Sequence, residues 1–188
     1  MLENARLLTP EQHREAVVRQ DKERAKVLRA KTGVARTRRR GAEEPVHPAE
    51  VLVAMGFGAG GDPRFPLTER TIMQALAADV GLPFIDLDPL ELDAKLAPQY
   101  LSRPFAKKHG ALVIAADPTT VTVAVSDPLD AQLADDIRTY VKREPKTVLA
   151  TPSDVGRLIA EFYGFRGAVT AAAEEIASPG VDIGNLER

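Results

Sequence analysis

Three histidines, His13, His47 and His109, are the residues with the widest chemical range in this sequence, and they are far apart in it. Metal binding needs ligands that converge, and each of these histidines falls in a different predicted element, so no metal site is expected. Ser126-Asp127, together with His109, would supply the residue types of a hydrolytic triad. There is no Gly-x-Ser-x-Gly elbow, however, and Ser126-Asp127-Pro128 is explained as a helix start. Asp86, Asp88, Asp127 and Asp130 would serve as paired carboxylates only if brought together, and acidic residues beside proline at helix starts have an ordinary capping use. The chain has no cysteine, which removes disulfides, thiolate metal sites and a cysteine nucleophile. No catalytic residue, metal ligand or cofactor is therefore assigned, and the chain is read as a non-enzyme.

Glycine-rich Gly56-Phe57-Gly58-Ala59-Gly60-Gly61 is the other chemical candidate. A phosphate-cradling Walker A loop needs Gly-x-x-x-x-Gly-Lys-Ser/Thr, and nothing in the sequence matches it. The run also follows a predicted helix rather than a strand, the wrong setting for a dinucleotide loop. It reads as a flexible loop extending to Pro63.

Charge is unevenly divided. Residues 1–41 hold 12 Lys+Arg against 5 Asp+Glu, a net of +7, whereas the whole chain is −2. A basic arm on an acidic body follows. Arg36, Arg38, Arg39 and Arg40 form its densest patch, in a glycine-punctuated linker without periodicity. They would suit nucleic-acid phosphates or an anionic membrane surface. Aromatic residues make up 5% of the chain and there is no Trp, so base-stacking platforms are scarce. No apolar run approaches the ~20 residues of a membrane span, and the first residues lack the order of a signal peptide. The expected location is the cytoplasm, with peripheral association with an inner membrane as an option.

The elements are centred on 111–150. Ala111–Ala116 and Val121–Val125, separated by Asp117-Pro118-Thr119-Thr120, predict a β-hairpin. Val121, Val123 and Val125 share one face, and Thr122 and Ala124 the other. Asp127-Pro128 should open a helix with Leu129, Leu133, Ile137 and Tyr140 or Val141 inward. Thr147–Ala150 predicts a strand, and Thr151-Pro152 opens a helix burying Val155, Leu158, Ile159 and Phe162. The result is a ββαβα unit with helices on one side of the sheet.

Upstream, Thr9-Pro10-Glu11 caps a helix running to about Lys31. A short helix follows His47-Pro48, and Thr68-Glu69 opens one that carries Ile72, Leu76 and Val80 inward and ends at Gly81. Leu82–Leu87 is extended, and Leu90–Tyr100 is read as helical. Residues after Gly164 are expected to be a loosely held tail. The expected fold is α/β (α+β): a small mixed sheet of three or four strands with amphipathic helices, preceded by a helical N-terminal region. Its divisions are 1–45, a basic arm and linker; 46–81, a helical subdomain; 82–164, the ββαβα domain; and 165–188, the tail. Leu8-Thr9-Pro10-Glu11 with Ala16-Val17 echoes Leu67-Thr68-Glu69-Arg70 with Ala75-Leu76, as a degenerate repeat would.

From about Leu67 to Gly164 the order of these residues resembles the N-terminal domain of type II secretion and type IV pilus assembly ATPases, the GspE/PilB/MshE group. The resemblance rests on Leu67-Thr68 with Ala75-Leu76, Gly81-Leu82-Pro83-Phe84-Ile85-Asp86-Leu87, and the region from Leu96-Ala97 to Phe105-Ala106. Val123-Ala124-Val125-Ser126-Asp127-Pro128-Leu129-Asp130 and Phe162-Tyr163-Gly164 complete it. It implies a non-catalytic adaptor that docks onto a secretion or pilus machine at the inner membrane, here without the motor. One branch of the family binds cyclic di-GMP through tandem Arg-Leu-Gly motifs. The resemblance carries that site onto His47, Leu52, Val53, Gly56, Leu67, Ile72 and Ala75. His47-Pro48-Ala49 stands where Arg-Leu-Gly is expected, and neutral His47 pairs more weakly with phosphate than arginine does. The alternatives to docking are thus a cyclic di-GMP receptor and a nucleic-acid-associated protein acting through Arg36–Arg40.

Overall fold

The computed structural model describes residues 7–32, 46–130 and 132–177, with side chains through residue 164, that of residue 32 excepted. Helix α1 spans Pro10–Thr32, α2 Pro48–Ala54, α3 Glu69–Val80, α4 Ala97–Tyr100 and α5 Arg103–His109. Strands β1 (Ala111–Ala116) and β2 (Thr120–Val125) follow, then α6 (Leu133–Val141), β3 (Glu144–Leu149) and α7 (Pro152–Ala177).

The ββαβα order is as expected. β1 pairs antiparallel with β2, with Ala111 opposite Val125 and a bulge between Val113 and Ala115, and β2 pairs parallel with β3 along Thr120–Val125. Asp117 builds the hairpin turn: its carboxylate accepts from the Thr119 and Thr120 backbone N–H groups at 2.8 and 2.7 Å. The Thr120 hydroxyl, and then these two backbone bonds, hold its pKa far below the usual aspartate range. The extended Pro83–Ile85 segment touches the far edge of β3, where Ile85 N–H and Leu149 C=O bond at 2.8 Å.

The sheet is covered on both faces, not on one. Val121, Val123, Val125 and Val113 pack with Ile72 and Met73 of α3 and Leu133 and Ile137 of α6. On the reverse, Leu112 and Ala124 meet Val155, Leu158, Ile159 and Phe162 of α7, with Ala97 and Ala106 from α4 and α5. Small Ala124, on the face opposite the valines, is fully buried against α7. Each large side chain so buried contributes roughly 1.5–3 kcal/mol.

Other local expectations are corrected. The helix after β2 begins at Leu133 because Asp127 and Asp130 close two turns first, each accepting the N–H two residues on. Leu129 is consequently 63% exposed. Leu133 and Ile137 are buried as expected, and of Tyr140 and Val141 it is Val141 that packs against the core while Tyr140 is 66% exposed. Leu90–Tyr100 is helical only over Ala97–Tyr100, since Asp88 and Asp93 likewise bend the chain into turns. β3 starts at Glu144, earlier than read, with Pro145 at its second position. Helix α7 continues past Gly164 to Ala177, where a loose tail was expected. The Gly56–Pro63 loop is built: Gly60 N–H bonds Leu7 C=O at 2.9 Å, Gln12 Nε2 bonds Gly58 C=O at 3.0 Å, and a bridge joins Gly58 to Pro66.

Candidate functional site

The chain before α2 is set by its cap. His47 Nδ1 accepts from Ala49 N–H at 3.1 Å, and Glu50 accepts from His47 N–H at 2.8 Å, a reciprocal capping box. Glu50 is buried and is paired with Lys31 at the end of α1. This places His47 and Lys31 on one wall of a cleft of about 450 Å³. The opposite walls are the end of α5 (Lys107, Lys108, His109), the turn after β2 (Ser126, Asp127, Asp130) and the first turns of α7 (Ser153, Gly156, Arg157). The cleft thus lies at the carboxyl ends of the parallel strands β2 and β3, where open α/β sheets commonly present ligand sites.

Its polar groups are closely matched. His109 Nδ1 and Asp130 Oδ2 are 2.6 Å apart, and that bond lowers the Asp130 pKa. Glu69, at the start of α3, accepts from Ser153 N–H at 3.0 Å and from the Ser153 hydroxyl at 2.6 Å, joining the starts of α3 and α7. Burial pushes the His47 pKa down, opposed by the Asp127, Glu50 and Glu69 carboxylates and the Ser126 backbone. Gly110 takes φ +54, and a Cβ there would lie 2.3 Å from Ser126 Oγ, so glycine is needed where α5 turns into β1. Among the described residues, no group of three or more His, Asp or Glu side chains could hold a metal ion.

Of the residues carried over for cyclic di-GMP, His47 alone lines this cleft. Leu67 and Ile72 are core residues at 4% and 3% exposure. Leu52 and Val53 are half-buried against the same core, Ala75 is half-buried on α3, and Gly56 is exposed beyond the end of α2. Leu52 also borders a second groove, about 510 Å³, between α1 and α2. Arg36, Arg38, Arg39 and Arg40 lie outside the described residues. Sequence reasoning missed Lys31, Glu50, Lys107, Lys108, Ser153 and Arg157, which converge only through tertiary packing.

A hairpin followed by a parallel crossover, held between α3 and α6 on one face and α7 on the other, is the frame that positions the cleft. Residues 80–169 match the model of the MshEN domain. That stretch, just under half of the chain, is thus similar to the MshEN domain, and the chain is similar to a type IV pilus assembly ATPase. It is 25% identical over 122 residues to the type IV pilus assembly ATPase TfpB of Acinetobacter baylyi, covering 62% of this chain and 21% of that relative. The chain thus spans about a fifth of the length of that curated relative. Among solved structures, one of MshE with cdg aligns with TM-score 0.49 and 22% identity, over 76% of this chain and 89% of the other. One of the XpsE N-terminal domain aligns with TM-score 0.44 and 18% identity, over 74% and 93%. No helix among the described residues is long and apolar enough to cross a membrane.

Proposed function

We propose that this chain is a non-catalytic docking module that engages a platform protein of a secretion or pilus machine at the cytoplasmic face of the inner membrane. The observation that carries this reading is the exposure of Leu129 and Tyr140 on α6 and the turn leading into it, within the MshEN-matching residues. Tyr140 stacks on Phe105 with ring centroids 6.2 Å apart, giving a rigid aromatic surface of the type that anchors protein interfaces. In this reading residues 82–164 are the docking body, 46–81 a subdomain packed on it, and 1–45 and 165–188 its extensions. Co-expression with the cytoplasmic part of the platform protein from the same machine tests it. Copurification that fails with Leu129→Asp, in a variant of unchanged melting temperature, is expected. Equal recovery of that variant would contradict the assignment.

A second reading, a cyclic di-GMP receptor, is favoured by one observation. His47, at the position of the motif arginine, shares the cleft with Lys31, Lys107, Lys108 and Arg157. These cations could meet two phosphates, in competition with their own carboxylate partners. Calorimetric titration with cyclic di-GMP should give heat that Lys108→Glu abolishes. Absence of heat at about 100 μM ligand removes this reading.

A further inference from the structure

Helix α1 has two chemically different sides. Along one, Glu15, Arg19, Glu23 and Lys26 form a ladder of ion pairs three and four residues apart. Along the other stand Glu11, Arg14, Val17, Val18, Asp21 and Arg24. Val17 is 54% and Val18 84% exposed, and the four charged residues are exposed as well. Among the described residues Glu11, Asp21 and Arg24 make no ion pair, and the Arg14 guanidinium bonds only the Pro10 carbonyl of its own helix. An apolar pair exposed between unmatched charges is an unusual use of a helix face that could have paired them internally.

The order of those residues is self-complementary. Reflected about the point between Val17 and Val18, Arg14 falls on Asp21, Glu11 falls on Arg24, and Val17 falls on Val18. From the sequence pattern and the exposed face we infer that this side of α1 is a twofold interface with a second copy of the chain, the two α1 helices running antiparallel. In such an isologous contact each residue meets its reflected counterpart twice. Arg14 and Asp21 each lie about 5 Å along the helix from the axis, and Glu11 and Arg24 about 10 Å. Four opposite-charge pairs then surround the valines. A parallel, in-register arrangement would instead set Arg14 against Arg14 and Asp21 against Asp21. The groove between α1 and α2 opens beside Val17, with Leu8, Ala16, Val51 and Met55 among its lining. It receives Val18 of the second copy. The inference is independent of the docking role, because α1 lies outside residues 80–169.

Sedimentation equilibrium of the full chain, from about 10 μM to 1 mM and at low and high salt, tests it. The average mass should rise from 20.3 kDa toward twice that value, less so in high salt. Arg14→Asp or Asp21→Arg alone should weaken association about tenfold or more. The double variant R14D/D21R restores opposite charges across the twofold axis and should return to within about threefold of wild type. These residues are exposed, and circular dichroism of each variant verifies α1. Should a charge variant lose helix, Val18→Ser provides the same loss of association. A mass fixed at that of the monomer, a dimer indifferent to the single substitutions, or a double variant as weak as the singles would overturn the inference.

Discussion

His47 stands at the meeting point of cap, cleft and burial, and replacing it has calculable consequences. His47→Ala removes the acceptor of the Ala49 N–H but leaves the Glu50 half of the capping box in place. Loss of one N-cap acceptor costs about 1 kcal/mol. His47→Asn retains an acceptor at the cap and should lose only a few tenths of that. The two variants separate further with pH. Burial holds the native His47 pKa below the ordinary histidine value of 6.5, so the unfolded chain takes up this proton more readily than the folded one. Stability from this group is therefore complete above about pH 6.5 and is lost as pH falls through the lowered native pKa. The nearby Asp127, Glu50 and Glu69 carboxylates reduce the shift without reversing it. Urea unfolding at pH 8 and pH 5 is the assay. His47→Asn should be slightly less stable than wild type at pH 8 and should close or reverse that gap at pH 5. Parallel pH dependence of the two proteins, or a cost below about 0.3 kcal/mol for His47→Ala at pH 8, would refute the reasoning.

Two glycines at helix ends provide a contrast. Gly110→Ala forces a left-handed alanine and a clash with Ser126 Oγ, and should cost about 2–3 kcal/mol in urea unfolding. Gly81→Ala, at φ +70 with nothing within 4 Å of its Cβ, should cost only about 1 kcal/mol. Tyr163 donates its buried hydroxyl to the Leu101 carbonyl at 2.8 Å and is also 3.2 Å from that of Ala97. Tyr163→Phe leaves these carbonyls without that donor and should cost about 1–2 kcal/mol, read as a lower urea midpoint. Leu158→Ala, at a fully buried site between α7 and the sheet, should cost about 2–5 kcal/mol by the same measurement.

What was legible in the sequence was local. Thr9, Thr68 and Thr151 announce their helices, and the alternating valines and the Asp117 turn announce the hairpin; all four appear in the structure. Asp127-Pro128 misled because an aspartate that closes a turn and one that caps a helix have the same signature. Here Asp127 accepts from Leu129 N–H two residues on, and the helix waits until Leu133. Helix α5 carries equally local signals, with Ser102 at its N-cap, Pro104 in its first turn and left-handed Gly110 at its end. The Gly56–Pro63 loop owes its order to bonds with Leu7 and Gln12, about 50 residues away, which local pattern does not carry. The cleft was less legible still. Lys31 reaches Glu50, Glu69 reaches Ser153 and His109 reaches Asp130 across unrelated elements, and of the seven residues named for ligand binding His47 alone lines the cleft.

The docking role is tested most directly by titrating the chain with the cytoplasmic part of the platform protein in a calorimeter. Saturable one-to-one binding is expected, weakened about tenfold or more by Tyr140→Ala, a substitution at an exposed position that leaves the core intact. No heat with the partner at about 100 μM, or an affinity that Tyr140→Ala leaves unchanged, would contradict the account.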